Sequence, residues 1–442
     1  MKLDIEQVID GARLGPLHWR VLILCALVTL LDGFDIQAMA SATPSLAADW
    51  HMPPGELRWI ITAALIGIAA SALIVSPLGD YLGRRTVLLG SFALVGVATL
   101  LAATSHSPNE LFLWRFLTGI GLGASLPNAL ALTAEFAPAR SRTVLVALMA
   151  CGISLGAAIS GFAAPVLIEL GGWRAVFAMG GVLAALAWLP LFALPESLRF
   201  LVARRRDTNT IGKLLERLDR DHRHTDSHTY IMREMPGGKN SVGELLTPRL
   251  APATLLLWLV FFLNLGLLYL LSSWLPTLLK ESGLPLAVAL RIAAMFQIGG
   301  VLGGFALAWL MQRWGPFIVL CVSYALTAVA LAMLGAGVPG AALTTLLIVI
   351  MGNGVVGGQV ALNVLSATLY PTTARATGVG WALGMGRFGG IIAPLAAGQL
   401  MATGIEIGRL FWLAIVPALI CAGAVALLRM AVTRSRAMAP AA

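Results

Sequence analysis

An all-α membrane protein of twelve transmembrane helices in two six-helix pseudo-repeats is the architecture this sequence predicts, and three observations predict it. Composition is the first. Of 442 residues, 58% are hydrophobic and only 12% charged, with a mean hydropathy of +0.87, which no soluble domain of this size matches. The second is a succession of twelve apolar runs of membrane length. The third is internal repetition. Pro138-Ala139-Arg140-Ser141-Arg142-Thr143 and Pro371-Thr372-Thr373-Ala374-Arg375-Ala376 each place an Arg four residues after a Pro, and 371 − 138 = 233 residues separate them. The same offset carries Gly156 onto Gly389. Parallel repeats of six spans, with a site at their interface near the bilayer midplane, are the plan of a secondary transporter.

In chain order the spans are expected at 20–40, 57–78, 86–104, 111–133, 144–168 and 175–194, then at 253–276, 289–311, 316–336, 341–367, 377–401 and 408–429. The first twenty residues carry Asp4, Glu6 and Asp10 beside their basic residues. That is too acidic for a signal peptide, so the first apolar run is read as span 1. The chain divides into an N-terminal half (1–194), a connector (195–250) and a C-terminal half (251–442). The connector holds 11 Lys/Arg and 8 Asp/Glu, which makes it a solvated segment, helical around Ile211 to Leu218. Arg84, Arg85, Arg140, Arg142, Arg313 and Arg375 share one side if spans alternate, whereas loop 1 (Ser41 to Gly55) has no Lys or Arg. The positive-inside rule then puts both termini in the cytoplasm. The net charge of +9 reflects these basic loops; no nucleic-acid partner is expected. The four cysteines all fall in apolar runs without metal or disulfide spacing and read as small core residues.

Span 1 carries the strongest chemical signal, Leu31-Asp32-Gly33-Phe34-Asp35. From a start at Val21, Asp32 lies about 16 Å along the helix, near the middle of a hydrocarbon core about 30 Å thick. A bare carboxylate there costs at least about 2.5 kcal/mol, so it should face a cavity or a partner. Spacing i, i+3 puts Asp32 and Asp35 on one face, and two carboxylates that close resist ionising together. A proton or substrate site is the preferred reading; a polar helix–helix contact is the alternative. Arg387 lies about ten residues into span 11, again near the midplane. Its planar fork suits a carboxylate, either a substrate's or, as a standing pair, that of Asp32; a backbone contact is a third option. Arg115, near the outer end of span 4, lies at a depth close to that of Asp35, and a pair would satisfy both. Glu135, at the inner end of span 4, is placed to meet Arg84.

Ser76-Pro77-Leu78-Gly79-Asp80-Tyr81-Leu82-Gly83-Arg84-Arg85, between spans 2 and 3, resembles the loop signature of the major facilitator superfamily. Asp32-Gly33-Phe34-Asp35, together with Arg375-Ala376-Thr377-Gly378-Val379-Gly380-Trp381-Ala382-Leu383-Gly384-Met385-Gly386-Arg387, resembles the aromatic acid:proton symporters within it. Leu194-Pro195-Glu196-Ser197-Leu198-Arg199-Phe200 fits the same family, although sugar transporters share it. The resemblance covers the whole chain. Ser76 stands where the loop usually has Gly and Tyr81 where it usually has a basic residue. The second-half counterpart, Gln312-Arg313-Trp314-Gly315-Pro316, lacks the acid and the double Arg.

This resemblance implies the major facilitator fold and alternating access in a bacterial inner membrane. It implies symport of an aromatic carboxylate such as a benzoate, hydroxybenzoate or phenylpropionate with protons, driven by the proton gradient without a cofactor, by a monomer in the lipid bilayer. It implies that Arg115 matters for transport, although depth alone allows a static strut. It makes the Arg84–Glu135 pair a latch, and Asp80, Gly83, Arg85, Arg142 and Arg375 its gating companions. Trp381 either stacks on a substrate ring or simply packs. Asn128, Asn264, Tyr269, Gln297, Asn353, Gln359 and Asn363 are further cavity candidates, of which two or three are expected to touch substrate.

Two other patterns are weaker. Gly152-Ile153-Ser154-Leu155-Gly156 matches a nucleophile elbow, but no His falls within an expected span: His18, His51, His106, His222, His224 and His228 all lie in loops or the N-terminal tail. His222, His224, His228 and Asp226 have the residue types of a metal site, yet in a charged loop they read as solvated; no metal is expected. The competing functions are a drug:proton antiporter of the same fold, against which a midplane Arg387 argues, and a transporter of non-aromatic organic acids. A membrane sensor or intramembrane hydrolase is less favoured, having neither a soluble domain nor a base.

Overall fold

The computed structural model describes residues 2–204, 208–218, 229–231, 242–248, 250–337, 340–370 and 375–437. His222, His224, His228 and Asp226, read as solvated in the connector, lie outside them. Helices dominate: α1 (Ile5–Gly11), α2 (Pro16–Asp49), α3 (Arg58–Ile74), α4 (Leu78–Leu82), α5 (Arg84–Ala103), α6 (Pro108–Phe136), α7 (Ala139–Leu191), α8 (Leu198–Ala203) and α9 (Thr208–Leu218). Then follow α10 (Val242–Leu245), α11 (Ala251–Glu281), α12 (Leu286–Trp314), α13 (Pro316–Gly335), α14 (Ala341–Gly352), α15 (Gly358–Leu369), α16 (Arg375–Ala402) and α17 (Ile407–Ala437). A single π-helical turn, Asn353–Gly357, joins α14 to α15. Two three-residue strands, β1 (Lys2–Asp4) and β2 (Thr229–Ile231), pair in parallel.

Eleven helical runs are long and apolar enough to cross a membrane among the described residues. The longest, the 53-residue α7, is two helices merged across Gly171 (φ −161°, ψ 25°) and Gly172 (φ 66°, ψ −162°). That break supplies the turn between spans 5 and 6, so twelve crossings result. Span 1 is longer than its sequence pattern: α2 starts at Pro16 and continues through the expected loop 1 to Asp49. The short polar residues Gln37, Ser41 and Thr43, which end the apolar run, are buried, and Thr43 Oγ1 donates to the Met39 carbonyl at 2.8 Å. His18 consequently lies in the first turn of α2, not in a tail, with Nδ1 accepting from the Gly15 amide at 3.0 Å. In this longer helix Asp32 is near the midpoint. The four cysteines are free, two of them fully buried.

The chain forms two compact units. One comprises 1–36, 63–156 and 174–236, the other 37–62, 157–173 and 237–442. In the first, α5 packs along α6, and α2 crosses α7 so closely that a methyl at Gly33 would overlap the Ile153 carbonyl, and one at Gly156 the Leu30 carbonyl. Ile5, Ile9 and Ala12 of the N-terminal segment join Leu198, Leu201, Ile211, Leu215 and Leu218 in one apolar cluster. Connector helices α8 and α9 are therefore docked on this unit rather than solvated, while Leu245 of α10 is buried in an apolar cluster of the second unit.

In the second unit α11 runs along α16 and α13 along α17. Here a methyl at Gly389 would overlap the Phe262 carbonyl, the counterpart of the Gly156 crossing at the 233-residue offset. Residues 54–57 lie against α16, where Gly55 meets Gly398 and Ala402. Trp173 Nε1 donates to Asp49 at 2.9 Å. The repeat also survives in the short loops: Gly83 (φ 97°, ψ 141°) and Gly315 (φ 81°, ψ 153°) adopt the same backbone, one closed to residues with a Cβ.

Candidate functional site

The midpoint of α2 holds two carboxylates in different circumstances. Asp35 is 3% exposed and Arg115, from α6, is 1% exposed. Arg115 Nη1 and Asp35 Oδ1 form the expected pair at 2.8 Å. Thr99 of α5 donates to the same oxygen at 3.3 Å and lies 3.4 Å from the Thr118 hydroxyl. The guanidinium sits 5.4 Å from the centroid of the Phe177 ring, an arrangement that holds a desolvated cation on its flat face. Asp32, one helical turn away, is 4% exposed. Its Oδ1 is enclosed with no hydrogen-bond partner, and among the described residues it forms no ion pair. One acid is neutralised by a base; the other is buried alone.

A second cluster gathers at the α4–α5 loop of the same unit. Arg84 Nη1 meets Glu135 Oε1 at 3.0 Å. Ser197 Oγ donates to the other Glu135 oxygen at 2.5 Å while capping α8 through the Phe200 amide. Glu196 Oε1 accepts from the amides of Arg85 (3.0 Å) and Ser197 (2.9 Å), and Gly83 leaves room for that carboxylate. Asp80, 74% exposed, stays 3.5 Å from Arg84. Arg142 pairs with Asp10 at 2.9 Å, and the same oxygen accepts from the Ala139 amide at 3.0 Å. The side chain of Arg375 lies outside the described residues. Sequence reasoning missed Glu196 and Ser197 as partners although both stood in a quoted motif. It also missed Asp10, Thr99 and Phe177, for which no pattern signals a role.

In the second unit Arg387 is partly buried on α16. Eleven residues, about three helical turns, separate it from Gly398, so it shares the face that meets Gly55 and Arg58 farther along. Trp381, six residues away, is turned to another side, 44% exposed, and stacks on Trp258 with centroids 5.6 Å apart. It does not share a face with Arg387. The polar candidates separate into two groups. Asn128 is enclosed and donates to the Ser76 and Ala124 carbonyls at 3.3 and 2.8 Å; Gln297 is buried against Ser272 at 3.2 Å. Asn128 ties α6 to the turn before α4, and Gln297 ties α12 to α11. Asn264 is sealed but leads outward to Gln359 and exposed Asn363. Tyr269 and Asn353 are half-buried. Among the described residues no group of His, Cys, Asp and Glu is arranged for a metal ion.

Comparison with known proteins decides what this arrangement belongs to. Residues 25–394 match the Major Facilitator Superfamily. The chain belongs to that superfamily. It is therefore a transporter by family and not an enzyme, which sets aside the nucleophile elbow around Ser154. It is 37% identical over 428 residues to the 4-hydroxybenzoate transporter PcaK of Pseudomonas aeruginosa, covering 96% of each chain. It is 37% identical over 441 residues to a gallate transporter of Pseudomonas putida, covering 98% of this chain and 96% of that one. It is 34% identical over 389 residues to a 3-(3-hydroxy-phenyl)propionate transporter of Escherichia coli, with 86% of each covered. Among solved structures, a D-xylose-proton symporter superposes with a TM-score of 0.72 over 92% of this chain and 97% of its own, at 17% identity. That likeness speaks for the fold.

Proposed function

We propose that this chain is a proton-coupled symporter that imports an aromatic carboxylate, a benzoate, hydroxybenzoate or phenylpropionate, across the bacterial inner membrane. It works as a monomer by alternating access of two six-helix halves, 1–194 and 251–442, joined by the connector 195–250, with both termini cytoplasmic. Full-length similarity to transporters of aromatic acids supports the substrate class.

The observation that carries the mechanism is the asymmetry of the two acids. Asp35 has Arg115 as its counter-charge. Asp32 has no such partner, and an unpaired carboxylate enclosed in apolar surroundings is stable as the neutral acid. Asp32 is therefore the proton carrier, and Asp35–Arg115 the fixed pair beside it. When Asp32 opens to water it releases its proton, and the resulting anion is what the next protonation must remove. Arg387 offers the complementary group, a planar cation at a depth where a substrate carboxylate supplies its counter-charge. Arg84–Glu135, braced by Ser197, holds one conformation and must part for the other.

Uptake of a labelled panel of benzoates, hydroxybenzoates, phenylpropionates and aliphatic acids into proteoliposomes tests the reading. Accumulation of the aromatic acids on imposing an inward proton gradient is expected. Uptake indifferent to the gradient, or restricted to aliphatic acids, would contradict it.

A further inference from the structure

One polar chain in the second unit has a direction that its partners dictate. Asn264 Nδ2 lies 3.3 Å from the Val355 carbonyl inside the π-helical turn. A carbonyl only accepts, so the amide nitrogen of Asn264 must face it, and its oxygen must face the buried Tyr324 hydroxyl, 2.9 Å away. The same nitrogen donates to Gln359 Oε1 at 2.8 Å. This fixes the Gln359 amide, whose Nε2 donates onward to Asn363 Oδ1 at 3.1 Å. Every link is thus oriented the same way, from a sealed phenol on α13, through α11, to α15. At its open end the chain has three unused N–H groups, one on Gln359 and two on Asn363, unmatched among the described residues, beside one remaining lone pair on each amide oxygen.

Depth gives this end a meaning. Gln359 and Asn363 lie ten and six residues before Leu369, about 15 and 9 Å inside the helix end. Asn363 is exposed and Gln359 half-buried, and exposed amides that deep belong against water or a polar ligand rather than hydrocarbon. They are neutral donors, so they suit an uncharged oxygen better than a carboxylate, which a guanidinium serves.

Building on the transport reading above, we infer that Gln359 and Asn363 form the subsite for a ring hydroxyl oxygen of the substrate, and that Tyr324 and Asn264 position them. The chain selects hydroxylated aromatic acids over the unsubstituted ring. A site built to bond a substrate oxygen discriminates against the analogue that lacks it, because its own donors are then left unpaired.

The test is binding of benzoate and of 4-hydroxybenzoate, which differ by one hydroxyl, to the purified full-length protein in nanodiscs. The parent should favour the hydroxylated acid. Gln359→Met and Asn363→Ala should each weaken it on the order of fivefold, the loss of one hydrogen bond, while benzoate changes less than twofold. Tyr324→Phe, which touches no substrate, should move the same ratio in the same direction; a strut would weaken both acids together. If the parent binds both acids and all three variants keep its ratio, the subsite is overturned and the transport reading stands. If the parent binds neither acid, the subsite is overturned, and the transport reading falls with it only if the phenylpropionates also fail in the uptake panel. Asn363→Ala changes an exposed side chain, so a folding failure of Gln359→Met leaves the outcome readable.

Discussion

The crossing of spans 1 and 5 in one unit and that of spans 7 and 11 in the other are built alike and charged differently. Gly156 lets α7 touch the Leu30 carbonyl, and Gly389, 233 residues on, lets α16 touch that of Phe262. Gly33 recurs as Gly266 at the same offset, yet Asp32 and Asp35 are replaced by Leu265 and Leu268, while Ser154 is replaced by Arg387. Small residues on both copies preserve the backbone approach, so the fold repeats. The ionisable groups are divided, acids to the first copy and a base to the second. The difference teaches that packing and chemistry occupy separate positions on the same helices and vary independently.

The largest effect should come from unbalancing the buried pair. Arg115→Ala leaves the buried Asp35 carboxylate without its partner, at a cost of about 3–5 kcal/mol, read as lost yield and a lower unfolding temperature in detergent. Replacing both residues with Leu should restore folding but not transport. If Arg115→Ala is as stable as the parent, the pair is not the fixed element that the comparison requires.

Next, Arg387→Ala should fold normally but lose affinity for acids on the order of 10- to 100-fold, the range for hydrogen bonds to charged groups. Arg387→Lys, which keeps the charge without the fork, should fall between. Calorimetric titration would measure it; unchanged affinity in the Ala variant would make Arg387 a strut. Sharper as a test of the repeat are Gly156→Ala and Gly389→Ala, each forcing a methyl into a carbonyl contact. Both should destabilise by a similar amount, about 1–3 kcal/mol. Tolerance of one and not the other would break the equivalence of the two crossings.

The smallest effect belongs to the loop cluster. Glu135→Gln keeps the Ser197 contact but removes the charge facing Arg84, and should shift the balance of states by about 1 kcal/mol. Accessibility of an engineered cysteine in loop 1 would report it; no change would argue against a latch.

Much of this was legible in the sequence because the bilayer imposes length and polarity on every span. The twelve crossings and the Asp32–Asp35 signal needed only apolar runs and one misplaced pair of charges, and depth alone brought Arg115 to Asp35. The end of α2 was not legible: Gln37, Ser41 and Thr43 look like a loop until they are seen buried. Nor was the division among the polar candidates. Asn128, Asn264 and Gln359 are alike as letters, and only the helices packed beside them decide which amide is enclosed and which is left with free donors. Asp10 and Glu6 read as tail charges, yet α1 folds back so that they meet Arg142 and Arg199.

The central claim, that Asp32 alone carries the proton, is tested most directly by Asp32→Asn in proteoliposomes, comparing substrate counterflow with uptake driven by an imposed pH gradient. Asn mimics the neutral acid, so the variant should exchange labelled aromatic acid across the membrane while failing to accumulate it. Accumulation against a gradient by Asp32→Asn, at a rate near the parent's, would contradict the assignment.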